Sequence, residues 1–218
     1  MRTASILLVC TGNLCRSPAA ELLLADRLGP AAHDYSIHSA GTKAVTGSPI
    51  DPTMRELLGR RGIEATGSLA CQVTVGMLES ADLILTASTS HRAAVVRILP
   101  RAVRKTLTLK QLARYAPAIL RFGGGTRTGA ERVEWILAAV PQARALVPMG
   151  DDSIADPLGK SRRHYRVAID QLDDACAVIA SVLGDPATAS TSPGIPGSPD
   201  GWWSDMSTVE FQDRADRP

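Results

Sequence analysis

The chain has 218 residues, a formal net charge of +2, 44% hydrophobic and 21% charged residues, and only 4% aromatic ones. That length supports one good core and not two independent ones. From Asp185 onward six acids face two arginines, leaving +6 on residues 1–184, which favours an anionic ligand but is too weakly basic to signal nucleic acid.

Behind Met1-Arg2 the apolar run "SILLVC" is too short for a signal-peptide core and gives way at once to Thr11-Gly12-Asn13. No stretch is long and apolar enough to span a bilayer. Four cysteines (Cys10, Cys15, Cys71 and Cys176) make no secreted disulfide framework in a chain of this length. A cytoplasmic protein is expected, with neither membrane nor nucleic acid as partner.

In chain order, "ASILLVC" reads as a strand, and Pro18 suits the first turn of the amphipathic helix "PAAELLLADRL", which Gly29 ends. "YSIHSAG" is a second strand and "DPTMRELLGRRG" a helix. "ADLILTAS" is a third strand, with "SHRAAVVRIL" the helix behind it, and "KTLTL" supplies a fourth strand. Two helices follow, "LKQLARYAPAIL" and "AERVEWILAAVPQARAL", split by Gly123-Gly124-Gly125. A last long helix runs through "SRRHYRVAIDQLDDACAVIASVL". Strands alternating with helices predict an α/β fold: an open, mostly four-stranded parallel sheet with helices on both faces.

Residues 1–184 form the expected domain. Residues 185–200 have a Pro/Gly/Ser-rich linker composition, and residues 201–218 form an acidic tail with Trp202, Trp203 and Phe211.

In open parallel sheets the ligand crevice lies beyond the carboxyl ends of the strands, and Cys10 sits at one of those ends. Between it and the next helix run Thr11, Gly12, Asn13, Leu14, Cys15, Arg16 and Ser17. A strand-to-helix loop turns successive N–H groups into one concavity, and the helix adds its positive end, so this stretch can cradle a phosphate. Gly12 is expected to permit the tight turn. Arg16 offers a planar fork for two phosphate oxygens. The same field favours the thiolate form of a cysteine, which is the form that attacks phosphorus. Ser17 is placed to donate to the sulfur, and Asn13 to brace the loop.

"VCTGNLCRSPAAE" resembles the signature of the low-molecular-weight protein tyrosine phosphatases. The likeness continues through "SAGT" (Ser39–Thr42), Asp51-Pro52, "RRGIEATG" and Asp156-Pro157, so it covers residues 4–184 with an insertion around 110–147. The resemblance implies Cys10 as nucleophile, Arg16 as transition-state clamp, Asp156 as general acid and Ser39 as a partner of Asn13. It also implies a reversible Cys10–Cys15 disulfide that spares the thiolate from irreversible oxidation.

The residues themselves support an acid in "ADPLG". Cleaving a phosphate ester needs a proton for the departing oxygen. Proline keeps Asp156 out of helical geometry, and Gly159 lets the loop turn toward the cradle. Asp151 and Asp152 are rivals. His33, His38, His91 and His164 form no spaced cluster and read as surface or strand-end residues. The triple glycine lacks the Lys-Ser/Thr of a nucleotide loop. Cys71 and Cys176 stand alone, so no metal site is expected.

The expected activity is two-step hydrolysis of phosphomonoesters through a phosphocysteine, on phosphotyrosine protein or small phosphomonoesters, inhibited by phosphate and other oxyanions. No cofactor is expected, because the cradle supplies the charge stabilisation. Tyrosine-directed relatives carry aromatic pocket walls where this chain has Val45 and Leu158, which weakens strict phosphotyrosine specificity. The alternatives are an arsenate reductase on the same scaffold and a catalytically silent phosphate-binding module.

Overall fold

Four strands form, β1 (Ala4–Cys10), β2 (Tyr35–Gly41), β3 (Leu83–Thr86) and β4 (Thr106–Thr108), of which β1 and β3 are the most apolar. All pair in parallel, in the order β2-β1-β3-β4. The computed structural model describes residues 2–123, 125 and 127–184; the linker and tail expected beyond residue 184 lie outside the described residues.

Alternation along β1 divides the interior in two. Ile6 and Leu8 join Leu83, Leu85 and Leu107 in a large core, while Leu7 and Val9 join Ala40 and Ile84 in a smaller one on the opposite face. The large core is closed by α1 (Arg16–Leu28), α2 (Pro52–Gly59), α5 (Leu109–Leu120), α6 (Gly129–Leu146) and α7 (Arg162–Leu183). The smaller is closed by α3 (Val75–Ser80) and α4 (Thr89–Ile98), through Leu78 and Val95. Helices therefore cover both faces, as expected for a sheet whose strands are apolar on both sides.

The helices follow their apolar stripes. In α5 the buried residues Leu109, Leu112, Ala113, Ala116 and Ile119 recur at helical spacing, and Thr108 with Gln111 forms a capping box at its start. In α7, Tyr165, Ala168, Ile169, Leu172, Ala175, Cys176 and Ile179 make a longer stripe that packs on α1 and α5. Truncating a fully buried leucine such as Leu172 to alanine costs about 2–5 kcal/mol.

Helix α1 begins at Arg16, earlier than Pro18 suggested. Helix α3 was not anticipated. It is too short to show a period, and only its Thr74 cap, which accepts from the Met77 N–H, marks it. No helix among the described residues is long and apolar enough to cross a membrane.

The topology positions the site. From β1 the chain moves to β2 on one side, then crosses to β3 on the other. The carboxyl end of β1 is therefore the switch point, where the two connections part and leave a crevice. Cys10 ends that strand.

Candidate active site

The loop from Cys10 to Arg16 is held from outside by its carbonyls. Thr42 N–H donates to Cys10 O (2.9 Å), Lys43 N–H to Thr11 O (2.9 Å), Val45 N–H to Gly12 O (3.2 Å) and Asp51 N–H to Leu14 O (2.9 Å). With its carbonyls turned outward, the loop presents its N–H groups to the inside, the arrangement of an anion nest.

The turn does not rest where the glycine suggested. Asn13, with φ 55°, is the left-handed residue of the loop, and its side chain holds that conformation in place. Its Nδ2 donates to Ser17 Oγ and Ser39 Oγ, each at 2.9 Å, and its Oδ1 accepts the Cys71 N–H at 2.8 Å. A Cβ on Gly12 would meet only the Leu14 side chain, at 3.7 Å or more. The glycine that matters sterically is Gly41, paired with Cys10 across the sheet. A Cβ there would lie 2.4 Å from Thr11 O.

Cys10 Sγ lies 2.9 Å from Ser17 Oγ. Ser17 accepts from Asn13 and keeps its own proton, for the sulfur or for Ala40 O at 3.3 Å. Arg16 is buried at 6% exposure, and its guanidinium pairs with the Asp156 carboxylate at 2.7 Å. The structure thus brings Cys10, Arg16, Ser17 and Asp156 to one mouth.

Asp156 reaches the mouth on a loop with two buried anchors, Ile154 and Pro157. Ile154 N–H donates to Ala87 O at 2.8 Å, and Leu158 N–H turns back to Asp156 Oδ1 at 3.3 Å. Gly159, at φ 72°, completes the turn. The rival acids are engaged elsewhere. Asp151 pairs with Lys110 (3.1 Å), and Asp152 pairs with Arg114 and accepts from Gln111 (2.9 Å), all on α5.

Cys15 lies buried beneath the loop. Burial, reinforced by Asp51, pushes its thiol up to about 12, so it remains protonated beside Cys10. Cys176 is sealed in the large core, and burial raises its thiol as well; Cys71 is exposed. In the region "GSLAC" the Cys71 backbone braces Asn13, while Ser68 lines a cleft beside Asn13, Ser39 and Cys71. Among the described residues no group of three His, Cys, Asp or Glu is arranged to hold a metal ion.

One histidine corrects the sequence reading. His91 is no surface residue: it is 6% exposed, with Nε2 at 2.7 Å from Thr11 Oγ1 and Nδ1 at 2.7 Å from Ser88 Oγ. Burial, with the nearby Arg16 charge, lowers it to about 4, so the ring is neutral at neutral pH. The signal was present in "TASTSH", since a histidine in the first turn after a strand faces the same carboxyl edge as Cys10.

A profile of the family described as low molecular weight phosphotyrosine protein phosphatase matches residues 5–122. The chain belongs to that family. It is a cysteine-dependent phosphatase, hence a phosphoric monoester hydrolase. Among similar proteins, the low molecular weight protein-tyrosine-phosphatase Etp of Escherichia coli K12 is 37% identical over 107 residues, covering 49% of this chain and 70% of its own. The protein-arginine-phosphatase of Geobacillus stearothermophilus is 32% identical over 168 residues, covering 77% of this chain and 88% of its own. The crystal structure of the Erwinia amylovora tyrosine phosphatase AmsI superposes with a TM-score of 0.62 at 27% identity, covering 84% of this phosphatase and 95% of that chain.

Proposed function

We propose that this phosphatase hydrolyses protein phosphotyrosine, with Cys10 as nucleophile, Arg16 as clamp and Asp156 as general acid. The carrying observation is the Arg16–Asp156 pair over the loop that holds the Cys10 sulfur. A phosphate dianion entering the loop binds the inward N–H groups of Thr11 through Ser17 and takes the Arg16 fork. Asp156 is thereby released toward the leaving-group side, where a proton is required.

In the first step Asp156, which takes up a proton from solvent on leaving Arg16, passes it to the departing phenol oxygen as the Cys10 thiolate forms the S–P bond and the P–O bond breaks. In the second, Asp156 takes a proton from water as the new P–O bond forms. The S–P bond then breaks with its electron pair returning to sulfur, where the Ser17 hydroxyl stabilises the thiolate. Ser39 supports the reaction through Asn13. Cys15 is the partner for a protective disulfide once Cys10 is oxidised.

The rim admits phosphotyrosine without the aromatic walls that would select it. Val45 and Leu158, about half exposed, offer two apolar walls where a phenyl ring can lie. Phosphoarginine is the second reading, because the arginine phosphatase relative matches over more of this chain than the tyrosine phosphatase does. Cysteine usage suits a reducing compartment, so we place this activity in the cytoplasm and its catalytic unit in residues 1–184.

A panel of phosphotyrosine peptide, phosphoarginine peptide and arsenate, run on the wild type and on Cys10→Ser, tests the reading. Turnover of the phosphotyrosine peptide by the wild type alone is expected, with Cys10→Ser still binding phosphate. Preference for phosphoarginine selects the second reading. Arsenate reduction, or turnover by Cys10→Ser, overturns both.

A further inference from the structure

The β3–α4 turn, Ala87 to His91, touches both halves of the active site. Ala87 N–H donates to Val9 O (2.9 Å), next to Cys10, and Ala87 O accepts from Ile154 (2.8 Å), two residues from Asp156. Thr89 N–H reaches Ser153 Oγ at 3.5 Å in the same acid loop. From the first turn of α4, His91 extends to the second residue of the cradle, Thr11.

The ring is used at both ends. Ser88, the N-cap of α4, accepts the His91 backbone N–H (3.3 Å) and meets Nδ1 at 2.7 Å. A neutral imidazole has one donor and one acceptor nitrogen, so either tautomer satisfies Ser88 on one side and Thr11 on the other. Thr11 is exposed at the mouth while Asn13, Arg16 and Ser17 are buried, so its hydroxyl would have free rotamers without the ring. A buried polar ring with two short bonds is a costly feature for a fold to retain if it serves packing alone.

We propose that His91 is a positioning residue of this active site: it fixes the Thr11 hydroxyl at the mouth and holds the cradle in register with the loop that carries Asp156. The inference rests on the phosphatase reading above. His91 touches neither sulfur nor substrate phosphorus; it acts through Thr11 and the turn. Losing the link lets the loops drift relative to one another. That loss falls on the step in which thiolate attack and proton donation must coincide, and not on phosphate binding.

The test is a double-mutant cycle of His91→Asn and Thr11→Val, with His91→Gln as the conservative variant. Asparagine keeps an amide near Nδ1, for Ser88, but falls short of Thr11; glutamine carries its amide out to the Nε2 position. For phenyl phosphate, whose oxygen needs a proton, His91→Asn and Thr11→Val should each lower kcat about tenfold, and the double variant no further. The inhibition constant for inorganic phosphate should stay within about twofold, and p-nitrophenyl phosphate should lose less than phenyl phosphate. His91→Gln should recover part of the loss.

Additive losses, equal losses on both esters, or wild-type kinetics in Thr11→Val would each overturn the proposal. Should His91→Asn fail to fold, Thr11→Val alone must still show the loss of kcat selective for phenyl phosphate. A wild-type enzyme inert on both esters would instead overturn the phosphatase reading.

Discussion

From Asn13 to Ser17 every residue of the cradle except Leu14 is buried, and its carbonyls are fastened to Thr42, Lys43, Val45 and Asp51. In the loop from Asp151 to Lys160 only Ile154 and Pro157 are buried, and the Asp156 side chain is 49% exposed. The two regions meet at the Arg16–Asp156 pair. Their construction suits different tasks. Charge stabilisation works best when its dipoles are aimed before the substrate arrives, which needs a rigid nest. A proton donor must let the substrate in and then approach the leaving group, which needs a loop that is tethered but not packed.

The sharpest way to break this contrast is to spoil the rigid half. Gly41→Ala would place a Cβ 2.4 Å from Thr11 O and 3.1 Å from Ala44. Neither contact is with the flexible end of a side chain, so β2 or the cradle must shift. We expect loss of phosphate binding and turnover together, with destabilisation of about 1–3 kcal/mol. Denaturant melts and phosphate titration measure the two. A variant that binds phosphate normally would show the nest to be more pliant than its hydrogen bonds indicate.

Altering the loosely packed half should leave binding intact. Asp156→Asn is expected to lower kcat by about 10²–10⁴ on phenyl phosphate, and by clearly less on p-nitrophenyl phosphate, whose oxygen leaves without much proton assistance. Phosphate should bind as well or better, since the Arg16 fork loses its resident partner. Asp152→Asn, on a carboxylate committed to Arg114 and Gln111, should not discriminate between the esters. An even loss across leaving groups in Asp156→Asn would remove it from the acid's place.

The same contrast decided what the sequence revealed. The cradle was legible because its parts are contiguous: Cys10, Asn13, Arg16 and Ser17 fall in one strand–loop–helix unit whose physics is local. The sheet was legible for a similar reason, as the strand runs, most apolar in β1 and β3, alternate with helical pattern. What escaped was long-range. Gly41 is demanded by Thr11, 30 positions earlier, and nothing near Gly41 says so. The left-handed position fell to Asn13 because its side chain finds Ser39 and Cys71, partners visible only after folding. His91 reads in the sequence only as a surface or strand-end residue because its partner Thr11 is 80 residues away, and only the β1–β3 pairing brings them together.

His91 also gives the smallest of these effects and ties the two regions to one measurable curve. Its folded pKa, lowered to about 4 by burial and by Arg16, lies below the ordinary histidine value. Between about pH 6.5 and pH 4 the unfolded chain therefore binds a proton that the native ring refuses. Stability from this group is full above that window and falls as the pH drops through it, by about 1–2 kcal/mol between pH 7 and pH 5. His91→Gln has no such proton, so its urea-derived stability should change less over the same interval, against carboxylates common to both proteins. Asp156 opposes the shift and Arg16 supports it, since the two charges face the ring from the acid loop and the cradle. Asp156→Asn should accordingly lower the histidine further and extend the sloping window to more acid pH, as read by titrating the imidazole protons. An unmoved titration would mean that the acid loop does not hold its carboxylate near His91 in solution.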